Sequence, residues 1–181
     1  MALRPLHLLG SPVLRERAAE IGEVDDELLH LVKDLFDTMH AEKGIGLAAN
    51  QVGIARRVAV VQTEENDALV LIDPVIVERE GRVKGEEGCL SIPDIFGDVE
   101  RSAHVVVEVT TTSNERVRVE ATDLRARAIQ HEIDHLDGVL FVDHLSPLKR
   151  RMLMKKWQKS RKGKEGYIKE VQREEEAGSR I

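Results

Sequence analysis

The stretch QHEIDHLDG, residues 130–138, places two histidines four positions apart, with a glutamate directly after the first. On an α-helix this spacing puts His131 and His135 one turn apart on one face, close enough to bind a single metal ion. Glu132 projects about a quarter-turn away, a poor direction for a shared ligand but a good one for a general base acting on water at a metal. The alternative is a solvated helix that happens to contain two histidines.

The helix that carries this stretch is predicted to begin near Thr122 or Asp123 and to stop at Gly138, a residue type common at helix C-terminal ends. Helical periodicity gives it two faces. The face with the histidines also holds Leu124 and Ala128, and the opposite face, which can pack into a core, consists of Ile129, Ile133 and Leu136. Small and apolar neighbours favour a metal site, because a solvated face does not need them.

Other elements lie on both sides of this helix. Helices are predicted at about 25–42 and from Ser146-Pro147 to Lys164, and β-strands at 56–62, 69–77, 104–111 and 115–122, of which the last two form a hairpin. These elements predict an α+β fold with antiparallel β-sheets packed around a central HExxH-bearing helix, and with an N-terminal and a C-terminal helix. We expect one catalytic domain over residues 1–164 and a flexible polar tail over residues 165–181.

Composition narrows the functional class. The chain has 181 residues, 41% of them hydrophobic, and a net charge of −6, which supports one soluble domain and argues against a general or sequence-specific nucleic-acid binder. Apolar runs are too short to span a membrane, and the N-terminus lacks the pattern of a signal peptide. A single cysteine excludes an internal disulfide. A cytoplasmic protein is the expectation.

The source of a third metal ligand separates the possible families, because a catalytic site usually has three protein ligands and an open position. The ligand position of metzincin proteases is occupied here by Phe141, which cannot bind a metal. A downstream acid, as in thermolysin-like enzymes, is missing from the basic segment 147–164. The only soft ligand is Cys89, expected in a loop within EEGCLSIP (86–93), where it is either a ligating thiolate or an inert small hydrophobe.

Three segments together resemble the peptide deformylase family. They are GIGLAANQ (44–51), EGCLS (87–91) and QHEIDH (130–135), in the family's order and with ordinary spacing. The resemblance covers about residues 1–160. It implies that Cys89, His131 and His135 hold the metal and that Glu132 is the acid–base residue. It also implies that Gln51 and the backbone N–H of Leu90 face the oxyanion of the substrate.

The same resemblance implies the activity and the partners. The family removes the formyl group from the N-terminal formyl-methionine of newly made polypeptides and releases formate. Its metal is usually Fe²⁺, with Zn²⁺, Ni²⁺ or Co²⁺ possible, whereas ligand types alone favour zinc. Nascent formyl-Met peptides are then the substrate, and no membrane partner is expected.

The first segment also suggests how a peptide binds. Gly44 and Gly46 permit close backbone approach, so an extended peptide can pair with this strand edge, against the backbone near Gly88 on the other side. Residues expected to line a pocket for the methionine side chain are Ile45, Leu124 and Ala128. Taken without the other segments, GIGLAAN is typical of a glycine-rich turn from helix to strand with no ligand.

Two charged residues of the same helix, Arg127 and Asp134, lie close to these positions in the sequence. The stem of Arg127 is expected to line the pocket while its guanidinium reaches solvent. Asp134 either supports a ligand or an arginine such as Arg101, or is a surface charge.

The basic segment 147–164 has two interpretations. In one it is a solvated helix whose apolar side chains pack inward, namely Leu148, Met152, Leu153 and Trp157. In the other its basic charge also docks on the ribosome, as the resemblance allows. The rivals to a deformylase are an HExxH metallo-endopeptidase and an inactive, ribosome-associated relative.

Overall fold

A computed structural model describes residues 2–173 of the chain. The helices are α1 (Asp26–Ala41), α2 (Asp123–Leu136) and α3 (Pro147–Ser160). The strands are β1 (Leu6–His7), β2 (Gly46–Ala48), β3 (Val58–Val61), β4 (Leu69–Glu80), β5 (Val83–Cys89), β6 (Ile92–Arg101), β7 (His104–Thr110), β8 (Arg116–Thr122) and β9 (Ile168–Lys169). None of the helices within the described residues combines the length and the apolar character that crossing a membrane needs.

The three predicted helices are confirmed, and their ends follow from local capping. The side chain of Asp25 accepts a hydrogen bond from the backbone N–H of Leu28, so α1 starts where an N-cap residue is available. The Ser146 side chain caps α3 in the same way through the N–H of Lys149. Gly138 follows α2 with a φ of 74°, a left-handed conformation that favours glycine. Only the end of α3 differs from the prediction, because this helix stops at Ser160.

The main sheet has five antiparallel strands in the order β2-β3-β4-β7-β8. The predicted hairpin is β7–β8, in which His104 pairs with Thr122 and Thr110 with Arg116. A second hairpin, β5–β6, was absent from the sequence prediction. Together with the three helices these sheets form a mixed α/β fold with antiparallel pairing, in agreement with the predicted class.

Helix α2 packs one face against the main sheet. Ile129 and Leu136 are fully buried there, together with Ala59 and Val107 from the sheet. Burying an isoleucine or leucine side chain contributes roughly 1.5–3 kcal/mol, so this face holds the helix in place. The opposite face, which carries His131, is then left for the site.

The C-terminal region departs from expectation in two ways. Leu148 and Met152 do not pack inward: they are 66% and 62% exposed, because the side of α3 that contacts the body of the protein is the one with Trp157. In the expected tail, β9 pairs with β1, and Val171 is buried in the core. Residues 174–181 of that tail lie outside the described residues.

Candidate active site

Three potential ligand atoms meet at one point on the free face of α2. The Cys89 sulfur and one ring nitrogen each from His131 and His135 all lie within 4.8 Å of one another. Cys89 Sγ is 3.3 Å from His135 Nε2, which is 3.1 Å from His131 Nε2. A tetrahedral metal with bonds of about 2.3 Å to sulfur and about 2.0–2.1 Å to nitrogen separates its ligands by a little over 3 Å. The three residues therefore fit a metal ion.

Cys89 reaches this point from a strand, which corrects the prediction of a loop. It is the last residue of β5 and pairs with Ile92 across the tight β5–β6 turn. A register shift between Glu87 and Cys89 marks an irregularity in the ladder. Such irregularities re-aim side chains, and here the sulfur lies beside the two histidines of α2.

His131 is oriented by a carboxylate behind it. Its Nδ1 donates to Oε1 of Glu87 at 2.8 Å, and this bond leaves Nε2 on the side of Cys89 and His135. A carboxylate that accepts from the far nitrogen of a metal-binding histidine fixes the tautomer and the ring angle. Glu87 was missed as a functional residue by the sequence reasoning, although it begins the segment EGCLS.

Hydrogen bonds from Arg101 and His131 favour the ionised form of Glu87. Burial by itself raises the pKa of this carboxyl, but hydrogen bonds from Arg101 and His131 outweigh burial and hold the pKa far below its usual range. Arg101 donates to both carboxylate oxygens at 2.9 Å, and Arg127 donates to Oε2 at 2.6 Å. A permanent negative charge thus stands behind His131.

The side chain of Arg127 points in a different direction from the one predicted. Asp134 has the supporting role that was one of its two predicted alternatives. Arg127 is only 8% exposed, and besides Glu87 its guanidinium donates to the carbonyls of Val83 and Val99 at 2.8 and 2.9 Å. The prediction that this guanidinium reaches solvent is therefore wrong. Asp134 accepts from Arg101 at 2.5 Å, so it supports that arginine.

The two histidines differ in their affinity for protons. Burial acts to lower the pKa of His131, but its hydrogen bonds with Cys89 and Glu87 prevail and raise it. Burial and the neighbouring charge of His131 lower the pKa of His135, which favours the neutral ring that a metal requires. Nδ1 of His135 is buried and has no hydrogen-bond partner within residues 2–173.

Glu132 is a buried carboxyl beside the three ligand atoms. It is 3% exposed, and its Oε2 has no partner in the part of the chain that the structure describes. Burial is the main cause that raises its pKa to about 7. A Cβ added to Gly46 lies 2.5 Å from Oε1 of Glu132, so any larger residue at that position requires the carboxyl to move. A carboxyl with such a pKa suits proton transfer near neutral pH.

Gln51 lies next to the sulfur. Its Oε1 accepts from the N–H of Ala48 at 2.9 Å, which holds the side chain. Its Nε2 donates to the Ser91 hydroxyl at 3.0 Å and lies 3.6 Å from the sulfur of Cys89. The side chain thus presents its amide N–H groups beside the candidate metal centre.

All of the predicted site residues except His135 line one cleft of about 540 Å³. His135 does not line the cleft and is almost fully buried. The cleft therefore joins the candidate ligands to the glycines of β2 and to an apolar wall made by Ile45, Leu124 and Ala128. The wall also includes Phe96, which the sequence reasoning did not single out.

A cysteine sulfur, two imidazoles and a buried carboxyl that meet beside one cleft define the class of the protein: a metal-dependent hydrolase of the HExxH type. Comparison with known proteins then narrows the class. Residues 3–151 match the family described as polypeptide deformylase.

Curated relatives and solved structures agree with this match. The peptide deformylase of Agrobacterium fabrum is 44% identical over 169 residues, which cover 91% of this chain and 99% of that protein. The peptide deformylase of Thermomicrobium roseum is 48% identical, with 80% and 87% covered. The peptide deformylase structure from Legionella pneumophila matches with a TM-score of 0.84 and 37% identity, covering 89% of this chain and 96% of that one. The one from Synechococcus elongatus, in complex with actinonin, has a TM-score of 0.80 and 42% identity, with 83% and 85% covered.

The chain belongs to the polypeptide deformylase family. It is a metal-dependent hydrolase that removes the N-formyl group from the N-terminal formyl-methionine of newly synthesised polypeptides and releases formate. The deformylase prediction is confirmed, in preference to a metallo-endopeptidase.

Proposed function

We propose that deformylation by this chain uses Cys89, His131 and His135 as the metal ligands and Glu132 as the acid–base residue. The observation that carries this assignment is the approach of the three ligand atoms to within 4.8 Å of one another, beside the buried carboxyl of Glu132. A divalent metal ion held there supplies a Lewis acid and a water nucleophile that is active near neutral pH. In this scheme the catalytic domain is built around α2 and extends beyond the predicted residues 1–164, because Lys169 lines the cleft and Val171 is buried in the core.

We assign Fe²⁺ as the metal in the cell, with Zn²⁺, Ni²⁺ and Co²⁺ as ions that can replace it. One thiolate and two imidazoles suit each of these borderline metals. Because ferrous iron beside a thiolate is open to oxidation, the iron form should lose activity in air, whereas a nickel-substituted form should keep it. Elemental analysis of anaerobically purified protein identifies the native metal.

Glu132 moves the proton that the reaction requires. In its ionised form the carboxylate takes a proton from the attacking water, and it then delivers this proton to the departing amine nitrogen. Its pKa of about 7 allows both directions of transfer near neutral pH. Since Oε2 has no partner within the described residues, it is available as the acceptor.

Gln51 and the backbone N–H of Leu90 stabilise the negative charge that develops on the formyl oxygen. Gln51 presents its amide 3.6 Å from the Cys89 sulfur, and Leu90 follows Cys89 in the chain, so both donors adjoin the same ligand. Each donor of this kind contributes about 2.7–4 kcal/mol in known oxyanion holes. Their preorganisation lowers the barrier to attack on an unactivated formamide.

The substrate peptide lies extended in the cleft. Its backbone pairs with the edge formed by Gly44 and Gly46 on one side and approaches Gly88 on the other. The methionine side chain packs against the apolar wall. Leu124 is 52% exposed and Ile45 40%, so apolar surface is available for burial by a ligand.

The experiment that tests this proposal measures formate release from a formyl-Met peptide by the metal-loaded protein. Formate and a free α-amine are the expected products. Cleavage of an internal peptide bond without formate release contradicts the proposal, and no turnover of either substrate indicates the inactive relative.

We also propose that α3 docks the enzyme on the ribosome, so that it meets nascent chains in the cytoplasm. The exposed surface of this helix is basic, and it includes Leu148 and Met152. Binding through basic residues to ribosomal RNA falls with increasing salt. Cosedimentation with ribosomes should therefore weaken in high salt and in a Lys155→Glu, Lys156→Glu variant, whereas unchanged cosedimentation of the variant contradicts docking through α3.

A further inference from the structure

The cleft continues beyond Gly44 to a rim that includes a residue from the far end of the chain. The rim consists of Glu42, Lys43 and Lys169. Lys169 belongs to β9, and its Nζ lies 2.6 Å from Oε2 of Glu42, the residue that caps the end of α1. A segment that follows α3 thus contributes directly to the wall of the active-site cleft.

Strand β9 is held in this position by several independent contacts. Lys169 pairs with Leu6 in the β1–β9 ladder, and the N–H of Leu8 donates to the carbonyl of Tyr167 at 2.7 Å. The ring of Tyr167 covers Gly10 so closely that a Cβ there would overlap it. Val171, two residues beyond Lys169, is buried in the core. The backbone at Lys169 is therefore fixed by main-chain bonds and packing.

The rim lies on the path of the peptide that leaves the reaction centre. Gly46 is next to the Glu132 carboxyl, whereas Gly44 is next to the side chain of Leu90. Following the chain from Gly46 back to Glu42 leads away from Glu132 and towards Lys169. Gly46 and Glu42 are four positions apart, and a peptide paired along this edge advances about one residue per position. The third or fourth residue of the substrate is then the one that reaches the rim.

We propose that Lys169 is a specificity-determining residue that binds an acidic side chain at the third or fourth position of the nascent peptide. The inference rests on the proposed placement of the peptide along Gly44 and Gly46. An ammonium group has three donors, of which the bond to Glu42 uses one. The Lys169 side chain is 43% exposed and that of Glu42 only 14%, so the cleft presents the cation more than its partner.

The test compares formyl-Met-Ala-Ala-Xaa and formyl-Met-Ala-Xaa-Ala peptides in which Xaa is Glu, Gln or Lys. The wild-type enzyme should have a kcat/KM about two- to fivefold higher for Glu than for Lys in at least one series, the range expected of an exposed ion pair. This ratio should approach one as salt screens the interaction. In Lys169→Met the ratio should fall to one or below at low salt.

Two further variants separate a charge effect from a disturbance of β9. Lys169→Arg keeps the cation and should retain the preference for Glu. Lys164→Met removes a neighbouring exposed lysine that does not line the cleft, and it should also retain the preference. An equal ratio in wild type and Lys169→Met overturns the inference, as does loss of the preference in both Lys169 variants.

Formyl-Met-Ala is too short to reach the rim and serves as the reference substrate. If the wild-type enzyme releases formate from this reference but the Glu-to-Lys ratio of kcat/KM for the longer peptides does not depend on Lys169, only the role of Lys169 is overturned. No formate from any peptide overturns the proposed function itself.

Discussion

Glu87 accepts a hydrogen bond from Nδ1 of His131 at 2.8 Å, on the side of the ring opposite Cys89. The carboxylate fixes which nitrogen of His131 is free to bind a metal. It is itself fixed by Arg101 and Arg127, which both donate to it. The orientation of a candidate ligand thus depends on a buried charge cluster whose other members lie on β6 and α2.

Replacing Glu87 by glutamine should therefore weaken metal binding about 10–100-fold, as is typical when the support of a ligand is lost. Chelator competition with Zn²⁺ or Ni²⁺ measures this affinity. Glu86→Gln is the matched control, because Glu86 is exposed and precedes Glu87 in the chain. Wild-type affinity in folded Glu87→Gln protein would contradict a positioning role.

Replacing Glu132 by alanine should leave the metal in place and remove turnover. A positioned acid–base group contributes about 10²–10⁴-fold to a rate, so kcat/KM for a formyl-Met peptide should fall by that order. Formate release and metal content, measured on the same preparation, check both halves of the prediction. Near-normal formate production would exclude Glu132 as the base.

Replacing Cys89 by serine should weaken the bound metal, because a neutral hydroxyl is a poorer ligand than a thiolate. In cobalt-substituted protein the sulfur-to-metal charge-transfer absorption should disappear in the variant. Unchanged absorption, metal content and activity would mean that the third ligand lies elsewhere in the chain.

Gly46→Ala tests the contact between β2 and the carboxyl of Glu132. The added methyl lies 2.5 Å from Oε1 of Glu132, so the carboxyl must move and kcat should fall at least tenfold while metal content is kept. Gly97→Ala is a suitable control. Its methyl meets the Leu145 side chain at 3.1 Å, away from the cleft, and should affect stability more than kcat. Equal kcat in wild type and Gly46→Ala would show that this close approach is not required.

The helices could be predicted because their signals are local. Asp25 and Ser146 cap α1 and α3 through bonds to residues three positions on, and the apolar periodicity of α2 gave its buried face correctly. The approach of the two candidate histidine ligands follows from the same periodicity. Such features can be predicted from the sequence because the interacting residues are only three or four positions apart.

The rest depends on contacts between distant residues. The β5 sequence VKGEEGC has no clear alternation of apolar and polar residues, since glycines and charges interrupt it. Its strand conformation is therefore stabilised by pairing with β6 and cannot be predicted from β5 alone. The guanidinium of Arg127 is turned inward by Glu87, 40 positions away, and Lys169 meets Glu42 across 127 positions. No spacing rule predicts such partners.

The pH dependence of stability should include a contribution from Asp143. Burial acts to raise the pKa of this carboxyl, but hydrogen bonds from Arg15 and from the N–H of Leu140 outweigh it and lower the pKa. Arg15 donates at 2.6 Å and Arg150 lies 3.1 Å away. Because the folded-state pKa is lower than the unfolded one, near 3.9, the contribution is complete above the unfolded pKa and is lost as pH falls through the folded value.

Asp143→Asn keeps an oxygen for the Leu140 N–H but loses the charge. Its free energy of unfolding should therefore be lower than that of wild type at pH 7, and the difference should shrink as the pH falls below about 4. Urea unfolding at a series of pH values measures both curves. When Asp143→Asn is introduced into an Arg15→Met background, the free energy of unfolding should fall by less than in wild type, because one partner of the ion pair is already absent. A difference between wild type and Asp143→Asn that is independent of pH would show that the charge of Asp143 does not stabilise the fold.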